Sequence, residues 1–307
     1  MLGLFTGALV AATAFAAGLL TARRRAAPAS AAPAAPVAPG RPTLRDGAAA
    51  AAPARLPERA EIAEGIARGE FGYHVQPIRD VSDDRADPLG RVVGVEALSR
   101  WTRADGSVLG PDLFMTAIHR GYAEGLKPPM DHTAATAAPF AAAGLFCAFN
   151  VSSGFLDRGD EAGWIDALLA PLDPAQVVFE ITEGSIISHP AATARLVDAL
   201  RERGVRFALD DFGTGLSNLE RLQTYPVDFV KLDRRFVSAL DGAEGARASA
   251  ILSGLAAMRA ELGFEVIAEG VETEAERDRL RGAGVTWMQG YLLGRPAPVE
   301  AWAPQAG

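Results

Sequence analysis

From about Leu56 onward, short apolar runs alternate with amphipathic stretches of helical period. The runs fall at 71–78, 92–101, 146–151, 177–182, 207–212, 228–232, 264–268 and 287–289. Each is of strand length, and most of the gaps between them hold one helix, such as 191–203, 246–262 and 274–282. The longest gap, between Trp101 and Phe146, has room for two. Eight strands alternating with helices predict an α/β protein with a (β/α)8 barrel of TIM type. A doubly wound open sheet is the alternative on pattern alone.

The pattern before residue 57 differs. Residues 2–20 contain no charge and are followed by Arg23-Arg24-Arg25. Nineteen apolar or small residues are just long enough to cross a bilayer as a helix. Arginines on the C-terminal side alone place the rest of the chain in the cytoplasm. The expectation is a single-pass anchor in the inner membrane. A cleaved signal peptide is the competing reading, with Ala14-Phe15-Ala16 as its cleavage site, but the positive n-region is missing. Residues 26–56 are rich in Ala, Pro, Gly and Arg without periodicity, which predicts a semi-extended linker. The organisation read this way is an anchor over 1–25, the linker over 26–56, a folded domain over 57–299 and a tail over 300–307.

Composition narrows the functions. The chain of 307 residues is 49% hydrophobic and 22% charged, so it can bury a large core. A net charge of −8 argues against a DNA or RNA polymer as partner. The one cysteine, Cys147, sits in an apolar run and reads as a buried strand residue; it excludes an internal disulfide. The four histidines, His74, His119, His132 and His189, show no ligand spacing.

Barrel enzymes carry their sites at the C-terminal ends of the strands. The polar residues at or near the run ends are Gln76, Glu96, Asn150, Glu180, Asp210 with Asp211, Lys231, Glu269 and Gln289. Any one of them alone reads as a surface charge or a cap, and Asp210-Asp211-Phe212-Gly213 alone as a turn. Their agreement across every strand points to one shared site. Carboxylates gathered at one mouth repel one another unless cations intervene, and oxygen donors suit Mg²⁺ or Mn²⁺. Adjacent Asp210 and Asp211 can serve two metals, a recurrent device for displacement at phosphorus. Lys231 could hold an attacking water or a phosphoryl oxygen, and Arg100 could pair with a phosphate.

Glu96-Ala97-Leu98 with Arg100-Trp101 resembles the signature of the EAL-domain cyclic di-GMP phosphodiesterases. The resemblance spans roughly 57–299. It continues through Gln76-Pro77-Ile78, Phe149-Asn150-Val151-Ser152, Glu180-Ile181-Thr182-Glu183, Asp210-Asp211-Phe212-Gly213-Thr214-Gly215, Lys231-Leu232-Asp233, Ala268-Glu269-Gly270-Val271-Glu272-Thr273 and Gln289-Gly290-Tyr291. It implies a barrel whose first strand runs antiparallel, and hydrolysis of cyclic di-GMP to linear pGpG. Glu96, Asn150, Glu180 and Asp210 resemble ligands of a first Mg²⁺ or Mn²⁺, and Asp210 with Asp211 ligands of a second. Lys231 and Glu269 resemble the pair that positions and deprotonates water, with Glu96 beside them in the catalytic set. Gln76, Arg100 and Gln289 resemble substrate-pocket residues, and Glu183 a residue that holds the loop after Asp211. Ca²⁺ is expected to inhibit, and a homodimer is a family-level expectation. Two places depart from the family pattern: Leu216 stands where an aromatic is usual, and Ala117-Ile118-His119-Arg120 replaces a commonly acidic stretch. The alternative from a different class is a non-catalytic cyclic di-GMP receptor. Such degenerate relatives lose metal ligands, and none is lost here.

Overall fold

The computed structural model describes residues 57–83, 85, 87–123, 131–151, 164–188, 190–213, 222, 225–240 and 245–304. The expected anchor, the linker and the position of Leu216 lie outside these residues. Among the described residues no helix is long and apolar enough to cross a membrane.

Eight described strands close into a barrel: β1 (Phe71–Asp80), β2 (Arg91–Thr102), β3 (Phe146–Asn150), β4 (Val177–Thr182), β5 (Arg206–Phe212), β6 (Phe229–Leu232), β7 (Glu265–Ala268) and β8 (Trp287–Met288). Neighbours from β2 round to β8 run parallel. β1 is antiparallel to both β2 and β8, and so completes the ring. Closure decides against the open doubly wound sheet and leaves no unpaired barrel edge. Each strand lies within two residues of its sequence expectation. The closing seam is short: β8 pairs with β1 only through Arg79↔Met288 and Asp80↔Trp287, and with β7 through Ile267↔Trp287 and Ala268↔Met288.

Among the described helices, α1 (Arg59–Ala67) precedes the barrel. Both α2 (Pro111–Ala123) and α3 (Asp131–Ala142) fill the long gap, as its length predicts. Then come α4 (Trp164–Leu169), α5 (Glu183–Ser188), α6 (Pro190–Arg201), α7 (Arg234–Ala239), α8 (Gly245–Leu262), α9 (Glu274–Gly282) and α10 (Val299–Trp302). The start of α9 is set by a capping box, with Glu276 N donating to Thr273 Oγ1 (3.2 Å) and Thr273 N to Glu276 Oε2 (2.9 Å). The first residues of the expected tail lie in α10, where Trp302 packs on the main core.

Strand alternation divides the side chains between two compartments. Outward positions such as Cys147, Phe149, Phe179, Leu209, Val230 and Ala268 join helix residues such as Phe140, Leu200 and Leu252 in the main core. The intervening positions Phe146, Ala148, Val178, Ala208, Phe229 and Ile267 form a second apolar cluster inside the barrel. Phe146, Phe229 and Trp287 stack there with centroids 5.2–5.9 Å apart, and the Arg206 guanidinium lies over both phenylalanine rings at 5.1 Å. Gly94 makes room for this stack, since a Cβ would fall 2.5 Å from the Phe146 ring.

One expectation needs correction. Gln76 and Glu96 are not at strand ends; they face each other in the middle of β1 and β2. An antiparallel partner explains it. The β1–β2 ribbon stays paired from Phe71↔Trp101 inward, so both strands continue beyond the rim set by the shorter parallel strands.

Candidate active site

Two residues beyond the apolar interior layer, the same inward positions become polar. Asn150 follows Ala148, Glu180 follows Val178, Asp210 follows Ala208, Lys231 follows Phe229 and Glu269 follows Ile267. The period-two pleat therefore aims all five at the C-terminal mouth. Glu96 joins them from β2, level with Ala148.

Lys231 is the hub. Its side chain is 1% exposed, and Nζ lies 2.6 Å from Glu269 Oε1, 2.7 Å from Glu180 Oε2, 3.4 Å from Glu96 Oε2 and 3.6 Å from Asp210 Oδ1. Around this cluster runs a chain of amides. Asn150 Nδ2 donates to Glu96 Oε1 (2.9 Å), and Gln289 Nε2 donates to Glu96 Oε2 (2.7 Å) and Gln76 Oε1 (3.0 Å). Gln76 Nε2 donates to the Gly294 carbonyl (2.9 Å). Gln289 Oε1 is buried and has no partner.

Asp210 and Asp211 reach the mouth through an irregularity. The β5–β6 register shifts between Leu209 and Phe212, which takes both aspartates out of regular pairing with β6, while Asp210 stays paired with Thr182 of β4. Asp211 has φ 60°, among the described residues the one non-glycine in the left-handed region, and its N–H donates to Asp210 Oδ1 at 2.9 Å. Backbone strain of this kind costs about 1–3 kcal/mol and collects at functional sites.

The charges do not balance. Burial disfavours the Lys231 ammonium, but Asp210, Glu180, Glu269 and Glu96 outweigh it and hold the amine protonated well above its ordinary range. Burial also opposes the charge of Glu96, yet Lys231, Gln289 and Asn150 keep that carboxyl below its ordinary value. Glu180 goes the other way, pushed well up by burial and then by Glu96. Burial, with Asp210 and Glu96, raises Glu269 from 4.5 to about 8 although Lys231 pulls it down. Asp211 is raised by burial, Asp210 and Asp233.

Among the described residues no three His, Cys, Asp or Glu side chains converge at ligand distance. The point on which four carboxylates do converge is taken by the Lys231 ammonium. The donor set still fits a hard divalent cation. It offers carboxylate and amide oxygens, it carries more negative charge than Lys231 neutralises, and Gln289 Oε1 is an unfilled acceptor.

Nine expected residues thus come together: Gln76, Glu96, Asn150, Glu180, Asp210, Asp211, Lys231, Glu269 and Gln289. Arg100 stands apart on the β2 extension, four residues beyond Glu96, with Nη1 donating to the Ser99 carbonyl (2.9 Å). Glu183 opens α5; its side chain lies outside the described residues. The mouth holds a cavity of about 290 Å³, and its lining includes Arg234, Glu272 and Tyr291, which had no assigned role. Arg234 and Glu272 each lie three residues beyond an inward-pointing member of the site, Lys231 and Glu269, and that repeated spacing is the signal that could have found them.

The architecture is that of an α/β-barrel protein with an acid-and-lysine site at the C-terminal mouth. The family model "EAL domain" matches residues 59–296, and the chain belongs to that family. It is 35% identical over 261 residues to the cyclic di-GMP phosphodiesterase RocR of Pseudomonas aeruginosa, covering 80% of this chain and 62% of that protein. The chain therefore spans under two thirds of that relative's length. Among solved structures it matches the PaMucR phosphodiesterase in complex with c-di-GMP, with a TM-score of 0.66 and 30% identity, covering 79% of this chain and 98% of that one. It also matches a manganese/cy-diGMP complex of Klebsiella pneumoniae BlrP1, with a TM-score of 0.63 and 29% identity over 74% of this chain and 56% of that one.

Proposed function

We propose that this chain hydrolyses one phosphodiester bond of cyclic di-GMP to give linear pGpG. The observation that carries the reading is the gathering of Glu96, Asn150, Glu180, Asp210, Lys231 and Glu269 at one barrel mouth, in a chain of the EAL family. Similarity to RocR and to the PaMucR complex supports the substrate.

Glu96, Asn150, Glu180 and Asp210 would hold one Mg²⁺ or Mn²⁺, and Asp210 with Asp211 a second. Such ions polarise phosphoryl oxygens and lower the pKa of water. The manganese in the BlrP1 complex supports the type of metal. Glu269 accepts the proton of the attacking water. Lys231, 2.6 Å from Glu269, donates to that water's oxygen and orients it. The new P–O bond forms as the bond to the ribose 3′-oxygen breaks; that oxygen takes up a proton from solvent water, and Glu269 returns the proton it accepted to solvent. Gln289, itself held by Gln76, fixes the Glu96 carboxylate, and both glutamines border the substrate, while Arg100 meets it above the rim.

The test is turnover of cyclic di-GMP by the purified chain with Mg²⁺, Mn²⁺ or Ca²⁺. Product with Mg²⁺ or Mn²⁺, and loss of it with Ca²⁺, is expected, because looser calcium coordination fits poorly. Binding without product would favour the receptor reading. Residues 2–20 are proposed as the inner-membrane anchor, with the barrel in the cytoplasm; a shortened periplasmic form on cell fractionation would overturn that. Homodimerisation is proposed from the family alone, and light scattering reads it directly.

A further inference from the structure

Among the described residues, the positive charge lining the cavity comes from Lys231 and Arg234. The two are not equivalent. Lys231 is buried and surrounded by four carboxylates, so its charge is already spent inside the cluster. The Arg234 side chain is 58% exposed and has one carboxylate partner, with Nη2 2.7 Å from Glu272 Oε1.

Both partners stand on fixed backbone. Asp233 joins β6 to α7 and caps that helix, its side chain accepting from Arg235 N at 2.8 Å, and Arg234 is the first residue after it. Glu272 N donates to Glu276 Oε2 at 2.8 Å, and the preceding Val271 N donates to the Gln289 carbonyl at 3.1 Å. Gly270 has φ 68°, and a Cβ there would fall 2.5 Å from Arg234 Cγ. The arginine stem therefore lies flat against the loop after β7, where only glycine leaves room. The stem is positioned by packing, but the head is held by an exposed ion pair. Exposed pairs are weak and exchange readily.

We propose that Arg234 is a phosphate-binding residue of the substrate site, parked on Glu272 until the phosphodiester of an incoming cyclic dinucleotide displaces that carboxylate. The inference rests on the proposed substrate. The chemistry favours it: a guanidinium fork matches the two non-bridging oxygens of a phosphodiester, as it matches a carboxylate. Beside the metal ions proposed for this mouth, an anionic substrate passing Glu96, Asp210 and Glu269 gains from a side-chain cation not already committed. Arg234 supplies one without disturbing the Lys231 cluster.

The test is steady-state hydrolysis of cyclic di-GMP with Mn²⁺ by the full chain and its Arg234→Gln, Arg234→Lys and Glu272→Gln variants. Loss of a charge-assisted bidentate contact is expected to raise KM about 10–100-fold in Arg234→Gln, with kcat little changed. Arg234→Lys should fall between, since it keeps a point charge and loses the fork. Glu272→Gln should lower KM by about 2–5-fold by removing the competitor. That gain should vanish in the double variant. An unchanged KM in Arg234→Gln overturns the proposal, as does a Glu272→Gln gain that persists without Arg234. Absence of turnover in the wild type would overturn the phosphodiesterase reading. Arg234 is then judged by equilibrium binding of cyclic di-GMP, where equal affinities of wild type and Arg234→Gln, or no binding by either, overturn it.

Discussion

The barrel interior has two layers one pleat apart, and they are built on opposite principles. The inner layer is Phe146, Phe229 and Trp287 stacked over one another, with Ala148, Val178, Ala208 and Ile267 filling the gaps. The mouth, two residues further along the same strands, holds four carboxylates about one ammonium. The inner layer needs nothing from outside, because apolar burial and ring contacts stabilise it alone. The mouth buries more carboxylate than Lys231 can offset: burial first, and neighbouring carboxylates after it, raise the carboxyls of Glu180 and Glu269. One layer is kept for stability and the other at a cost in stability, which is how a binding site differs from a core.

The largest effect should follow from removing the hub. Lys231→Met leaves buried carboxylates without a counter-charge and is expected to cost about 3–5 kcal/mol in urea unfolding of the metal-free protein. It should also abolish turnover. A variant as stable as wild type would erase the proposed contrast between the layers. Glu269→Gln should cut kcat by about 10²–10⁴-fold, the range for a lost general base. Because Glu269 is raised to about 8, its neutral isostere should leave the metal-free Tm equal or higher. Phe229→Ala should do the reverse, losing about 3–5 kcal/mol of stability while the folded fraction keeps its kcat. Equal damage to kcat in both would merge the two layers into one.

The smallest effect is a pH slope. The Glu269 carboxyl titrates near 8 in the fold against 4.5 in an ordinary setting. Between those values the folded protein keeps a proton that the unfolded chain has released, so stability falls as pH rises. The Glu269 contribution is whole below about 4.5 and is lost through about 8. Thermal melts of the metal-free protein from pH 6 to 9 should show the fall, and Glu269→Gln should flatten it.

Much of this was legible in the chain. Cys147 between Phe146 and Ala148, or Val230 between Phe229 and Lys231, occupies the outward slot of a strand apolar on both faces. Such strands leave short uninterrupted apolar runs, and the polar residue closing each run marked the mouth. The pattern failed where geometry rather than polarity decides. Nothing in the composition of 71–80 announces an antiparallel strand, so Gln76 and Glu96 were placed at ends they do not occupy. The left-handed turn at Asp211 depends on how β5 meets β6. Arg234 and Glu272 lie among other charged residues near helix starts, where charge is ordinary. The convergence of four acids on Lys231 is a property of the closed ring, which no single run carries.

The two-residue strand β8 makes the barrel a hoop fastened by a small clasp. Gln289 sits immediately after that clasp, with its amide N–H on the Ala268 carbonyl (2.8 Å) and its side chain reaching Gln76 and Glu96 on the far side of the fastening. A local opening that freed β8 would withdraw Gln289 from Glu96 while the six parallel strands stayed joined. The site would then come apart before the fold did. Hydrogen exchange at the Gln289 amide would register that opening, and it should slow when a ligand fills the mouth.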